Sequence, residues 1–214
     1  MNTTHTMLTN PIFATDGYKL CHIDQYPKGT QWVYETWTPR MSRIEGIHHV
    51  VFFGLQAALH EITDNFNKYF FTQPLDKIID QYGEIMTSMF SRTNPDLAAN
   101  YSTDHIEALH HLGYLPLEVR ALREGSFVPI GVPMFTIENT HDDFAWLPGY
   151  LESQLSSMIW SPMTAATIAD QYKRILTHFA NLTGDASNVI HQAGDFSMRG
   201  MSSPESSMRT AGGH

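Results

Sequence analysis

Between Gly54 and Leu182 the spacing of the apolar residues changes from helical to strand-like and back, and this double change constrains the fold class most. Leu55, Leu59, Ile62, Phe66 and Tyr69 recur at steps of three and four over residues 54–71, and Leu75, Ile78, Ile79, Tyr82, Ile85 and Met89 repeat the pattern. Each set draws one apolar stripe on a helix. A shorter helix is expected from about Asp104 to Leu112, with Ser102 or Thr103 near its cap and Gly113 closing it. At Leu115 the period drops to two. Leu115, Leu117, Val119 and Ala121 alternate with Pro116, Glu118 and Arg120, as in a half-buried strand, and EGSFVPIGVPMFTIENT continues as two short strands around Gly131 and Pro133. Two helices follow, one marked by Leu147, Leu151, Leu155 and Ile159, the other by Ile168, Tyr172, Ile175, Phe179 and Leu182 and ended by Gly184. Val189 and Ile190 in NVIHQAGDF read as a strand running into a functional loop, and MSSPESSMRTAGGH has the composition of a frayed tail. The order predicts an α+β domain with a small antiparallel sheet near residues 115–139 and a new unit beginning near residue 186.

Composition removes several function classes. The 214 residues can bury a large core, and 12 Phe, 9 Tyr and 4 Trp set the chain apart from disordered ones. Thirteen Lys and Arg against 22 Asp and Glu leave a net charge of −9, so no global basic field exists to hold a nucleic acid or an anionic membrane. Any anionic ligand must be met by a local pocket. Cys21 is the one cysteine, which excludes an internal disulfide and a multi-cysteine zinc site and points to a reducing, cytoplasmic setting. MNTTHTMLTN lacks the basic start and apolar core of a signal peptide, and no run of about 18 apolar residues is present to span a bilayer.

Three clusters carry candidate chemistry, each with a plainer alternative. Asp16, Gly17, Tyr18 and Lys19 form a compact polar and aromatic group, also explicable as a helix start capped by Thr15 or Asp16. Arg40 and Arg43 in TPRMSR could clamp a phosphate or simply be solvated loop arginines. Phe196 and Arg199, three apart in DFSMRG, offer an aromatic plate and a guanidinium fork for a planar ring joined to a phosphate; a core Phe beside a surface Arg is the common arrangement. Histidine spacing (His48-His49, His105, His110-His111) does not fit a helical zinc pair, and Cys21 beside His22 cannot share a face with it. Phosphate-loop, dinucleotide and serine-hydrolase motifs are missing from the sequence.

Five strings in register carry a resemblance over nearly the whole chain: ATDGYKLCHIDQYP (14–27), VFFGLQ (51–56), LPLEVRALREGSFVPIGVPMFTIENT (115–140), WSPMTAAT (160–167) and DFSMRGMSS (195–203). In order and spacing they resemble the nicotinamide phosphoribosyltransferases. The resemblance implies an α+β N-terminal domain over residues 1–185, followed at 186–214 by the beginning of an incomplete β/α barrel, in a homodimer with active sites at the subunit interface. It implies formation of nicotinamide mononucleotide and pyrophosphate from nicotinamide and phosphoribosyl pyrophosphate, with Mg²⁺ and with ATP as a possible activator. By the same resemblance Phe196 stacks one face of the pyridine ring and Tyr18 of the other subunit covers the opposite face. Arg199 holds the ribose phosphate, Asp16 sits in the shared site and Arg40 approaches the phosphates.

Where some relatives carry Tyr and His shortly before the Asp-Phe, this chain has His191 and Gly194. Family members also continue well past the position of His214, so the chain reads as an N-terminal fragment expected to be inactive alone. Two competing readings are a nicotinate-specific relative and a non-catalytic interaction module pairing with a complementary chain.

Overall fold

The computed structural model describes residues 10–214, so Met1–Thr9, most of the stretch read above as unlike a signal peptide, lies outside the described residues. In chain order the regular elements are β1 (Tyr34–Trp37), β2 (His49–Val51), α1 (Leu55–Phe66), α2 (Leu75–Phe90), α3 (Pro95–Asn100), α4 (Asp104–Leu112), β3 (Leu117–Ala121), β4 (Phe127–Pro129), β5 (Phe135–Asn139), α5 (Leu147–Thr183), α6 (Ser197–Gly200) and α7 (Pro204–Gly213). Short 3-10 turns occupy Pro11–Phe13, Gly17–Gln25, Asp142–Phe144 and Val189–His191. The chain divides into two compact units. The first takes in the described part of Met1–Glu35 with Leu59–Val119 and Ile137–Gln154; the second comprises Thr36–Ala58, Arg120–Thr136 and Leu155–His214.

In the first unit the expected helices form, with their buried faces set by packing. Ile62 and Phe66 point inward, and the π turn Asn67–Phe71 then brings Phe70 rather than Tyr69 into the core, where its ring meets Phe66 edge-on at 5.7 Å and His110 at 5.4 Å. On α2 the buried line is Ile78, Tyr82 and Met86, while Met89 is exposed. Helix α4 ends as its sequence predicts: Gly113 takes the left-handed conformation (φ 78°), and its N–H reaches the Leu109 carbonyl. Helix α3 is an addition, started by Asn94, whose side chain accepts from the Leu97 N–H at 3.1 Å.

The strands form two small sheets rather than one. β4 pairs antiparallel with β2 in the register His49↔Pro129, Val50↔Val128 and Val51↔Phe127, whereas the other sheet has the order β1-β5-β3. β1 and β2 are too short and too mixed in polarity to announce themselves by periodicity.

Three further expectations are corrected. The two helices expected after residue 146 are one 37-residue helix, α5, which continues through Pro162. An interior proline removes one hydrogen bond and costs about 3 kcal/mol, but Pro162 is buried and lies 3.3 Å from where a Gly54 Cβ would stand, so its packing opposes that loss. Val189–His191 is a 3-10 turn, not a strand. No strand pairs with it among the described residues, and its backbone groups are satisfied locally by His191 N–H to Asn188 O (3.0 Å) and Gln192 N–H to Val189 O (3.2 Å). The Ser- and Gly-rich end is the helix α7. Ser203 caps it by accepting from the Ser206 N–H at 3.2 Å, Pro204 opens it, and buried Thr210 shares a hydrogen bond with Ser161 at 2.9 Å.

Candidate functional site

The N-terminal cluster is fastened to the start of α5 by a ladder of side chains. Gln154 Nε2 donates to the Pro11 carbonyl and Tyr150 Oη to the Ile12 carbonyl, each at 2.6 Å. Thr15 Oγ1 donates back to the Tyr150 carbonyl at 2.9 Å. Asp16 does not cap the turn that follows it. Its carboxylate instead accepts from Ser153 Oγ at 2.5 Å, and the same Oγ accepts from the Asp16 N–H at 3.4 Å. Lys19 is buried, its Nζ donating to the Gly149 carbonyl and to Glu152 Oε2, both at 2.5 Å. Between these two anchors Tyr18 is 59% exposed, its ring 5.0 Å from that of His22. A ring so placed can present a face to a planar ligand.

Phe196 and Arg199 come together on the short α6 turn. Phe196 is 69% exposed, and the guanidinium carbon of Arg199 lies 5.9 Å from its ring centroid. Asp195 holds the turn by accepting from the Ser197 N–H at 3.0 Å and from the Ser197 hydroxyl; these bonds, the hydroxyl first, draw its pKa below the usual carboxylate value, aided by nearby His214. Phe196 edges a concavity of about 490 Å³ whose other walls include Ile168, Tyr172, Leu176 and His214. A second, of about 550 Å³, adjoins it through His214 and carries Phe127 and Lys173. The neighbouring Arg174 is engaged elsewhere, bound to Asp170 at 2.6 Å and lying over Phe127 at 5.3 Å. The surface offers a flat apolar plate beside cations for an attached anionic group.

Arg40 and Arg43 are both exposed in the loop after β1. Burial and the charge of Asp24 push the Cys21 thiol up, the opposite of an activated nucleophile. His105 and His110 have packing partners: His105 lies edge-on to Trp146 at 4.9 Å, and His110 Nε2 meets the Gln73 carbonyl at 2.9 Å. No three His, Cys, Asp or Glu side chains gather to hold a metal among the described residues, and no described helix is long and apolar enough to cross a membrane. Sequence reasoning missed Ser153, Lys173 and His214. Ser153 acts on Asp16 from 137 positions away, and His214, whose Nε2 meets the Ala193 carbonyl at 3.0 Å, sits in a segment whose composition resembles a tail.

Comparison with known proteins identifies the family. The profile described as nicotinamide phosphoribosyltransferase, N-terminal domain, matches residues 10–118. A nicotinamide phosphoribosyltransferase of Acinetobacter baylyi is 42% identical over 212 residues, covering 96% of this chain and 41% of that protein. One from Mycoplasma genitalium is 30% identical over 223 residues, covering 95% of this chain and 47% of the relative. The chain therefore spans less than half the length of these relatives. Among solved structures, human nicotinic acid phosphoribosyltransferase matches with a TM-score of 0.52 and 19% identity over 76% of this chain and 28% of its own, a likeness of fold. With its profile matched over residues 10–118 and relatives aligned along nearly all of its length, the chain belongs to the nicotinamide phosphoribosyltransferase family.

Proposed function

We propose that this chain contributes to the active site of a cytoplasmic, homodimeric nicotinamide phosphoribosyltransferase, joining nicotinamide to phosphoribosyl pyrophosphate with release of pyrophosphate. The observation that carries the reading is the exposed Phe196 plate with Arg199 on the same turn, beside a concavity of about 490 Å³. In this reading Phe196 stacks the pyridine ring, with Tyr18 of a second subunit on its other face, so that the ring nitrogen faces the anomeric carbon. As that carbon loses pyrophosphate, positive charge grows on the ribose and negative charge on the leaving group. Arg199 holds the ribose phosphate, Arg40 approaches the phosphates, and Asp16 belongs to the same shared site. In this reading residues 186–214, which hold a 3-10 turn and two helices, belong to the barrel unit of the complete enzyme. Mg²⁺ arrives with phosphoribosyl pyrophosphate and ATP acts as an activator; the described residues form no cage of three or more His, Cys, Asp or Glu for the metal.

The test mixes the purified chain with a second chain carrying the segment of the Acinetobacter baylyi relative that follows the match, and assays nicotinamide and nicotinate in parallel. Nicotinamide turnover on mixing is expected, with none from the 214 residues alone. Phe196→Ala should raise the KM for nicotinamide, and Arg199→Ala that for phosphoribosyl pyrophosphate, each by about tenfold or more. Preference for nicotinate would reassign the base, and binding without turnover would make the chain an interaction module.

A further inference from the structure

Tyr18 and Lys19 are neighbours on one 3-10 turn with opposite fates: the ring is 59% exposed and the ammonium-bearing side chain 3%. Lysine is almost never buried unless its charge is met. Here it is met by a built site. Nζ donates to the Gly149 carbonyl and to Glu152, and Glu35 stands close enough for the Lys19 charge to act on it. Burial and the Glu152 charge raise the Glu35 pKa, and Lys19 opposes both. A Cβ at Gly149 would lie 2.9 Å from Glu35 Oε1 and 3.3 Å from Tyr26 Oη, so a side chain there would displace the Glu35 carboxyl group. Ser153 Oγ, one turn along the same helix, ties down Asp16 through both its carboxylate and its N–H. The residues on either side of the exposed ring are thus held by the same helix, two residues before it and one after.

We propose that Lys19, with Ser153, is a positioning residue that holds Tyr18 rigidly for contact with the nicotinamide base. A stacking ring placed an ångström out of register loses much of its contact, so the backbone carrying it must be fixed more firmly than a surface turn. Two anchors do this: a buried ammonium bonded to the Gly149 carbonyl and to Glu152, and a serine that both donates and accepts. The inference rests on the proposed function for the identity of the ligand, while the clamp itself belongs to this chain.

Two measurements separate these parts. Amide hydrogen exchange on the 214-residue chain should show Lys19→Met speeding exchange over Asp16–Gln25 by about tenfold or more while the amides of Ile78–Met86 are unmoved. Ser153→Ala should act in the same direction and more weakly, and Lys19→Arg should restore part of the protection. In the mixed-chain assay, Lys19→Met should raise the KM for nicotinamide by about tenfold and leave that for phosphoribosyl pyrophosphate within about twofold. Unchanged exchange at Asp16–Gln25, or a loss spread equally over both substrates and kcat, overturns the proposal. If the wild-type mixture turns over no nicotinamide, the functional reading and the role assigned to Tyr18 both fall, and exchange alone decides whether Lys19 clamps the turn.

Discussion

His105 makes the folded chain sensitive to mild acid, by an amount that the structure sets. Its ring lies edge-on to Trp146 at 4.9 Å and to Tyr82 at 5.9 Å. Burial lowers its pKa from 6.5 to about 4, with adjacent Asp104 pulling the other way. Asp24, Asp104 and the Tyr82 and Tyr101 hydroxyls are the other titratable groups lining the concavity beside it. The unfolded chain takes up a proton near pH 6.5 and the folded chain only near pH 4, so stability present above 6.5 falls as the pH drops between these values. At about 1.4 kcal/mol per pH unit, the loss is about 2 kcal/mol at pH 5 and about 3 kcal/mol at pH 4. His105→Phe keeps a ring in the same edge-on site without the titration. Urea unfolding of both proteins from pH 7.5 to 4.5 reads the difference, which cancels carboxylate contributions common to the two. Wild type should lose about 2 kcal/mol relative to the variant between pH 7 and pH 5. A difference that is flat with pH would refute the reasoning.

Gly213→Ala should destabilise the chain although alanine is the better helix former by about 1 kcal/mol. The new Cβ would stand 2.4 Å from the Pro162 carbonyl oxygen, a backbone atom that cannot swing aside, and a net loss of about 1–2 kcal/mol is expected in urea unfolding. Tyr150→Phe strips the donor from the buried Ile12 carbonyl and should cost about 1–3 kcal/mol, read by the same measurement. Phe179→Asp, on the exposed face of α5, should leave stability within about 0.5 kcal/mol in urea unfolding, since that side chain is 60% exposed.

What could be read from the sequence followed from what local spacing controls. The α2 and α4 helices and the Gly113 stop need only short-range information, and each forms near its expected bounds; Thr103 stands at the N-cap of α4 without a side-chain capping bond, while Ser102 Oγ accepts from the Asp104 N–H at 3.1 Å. Pairing partners could not be read. The alternation at residues 115–121 reveals a strand, yet nothing local says that Phe127–Pro129 leaves its neighbours to pair with His49–Val51. Nor could the continuity of α5 be read: an interior proline carries a large local cost, and packing from another part of the sequence opposes it. At the candidate site the residue types could be read and their supports could not. Phe196 and Arg199 lie three apart in sequence and meet on one turn, whereas Tyr18 depends on Gly149, Glu152 and Ser153, between 130 and 137 positions away from the residues they bind.

Exposed apolar side chains here are of two kinds, and the difference bears on what each meets. Tyr18 and Phe196 stand singly, each flanked by hydrogen-bonded anchors within two residues: Asp16 and Lys19 for the tyrosine, Asp195 and Ser197 for the phenylalanine. A lone ring on a pinned backbone suits a small planar ligand, whose binding energy depends on the position of one surface. Tyr172, Ile175, Phe179 and Leu182 are between 55% and 69% exposed and follow each other at steps of three and four along α5, so the helix itself dictates their spacing. A periodic face of that kind is a continuous apolar strip, and each of its side chains would add about 1.5–3 kcal/mol on full burial. Asp170, Lys173 and Arg174 are interleaved with the start of that row, Arg174 already bound to Asp170 at 2.6 Å. Tyr172 belongs to both settings, since it also walls the concavity beside Phe196, so the apolar row of the helix runs into the candidate ligand surface at that ring.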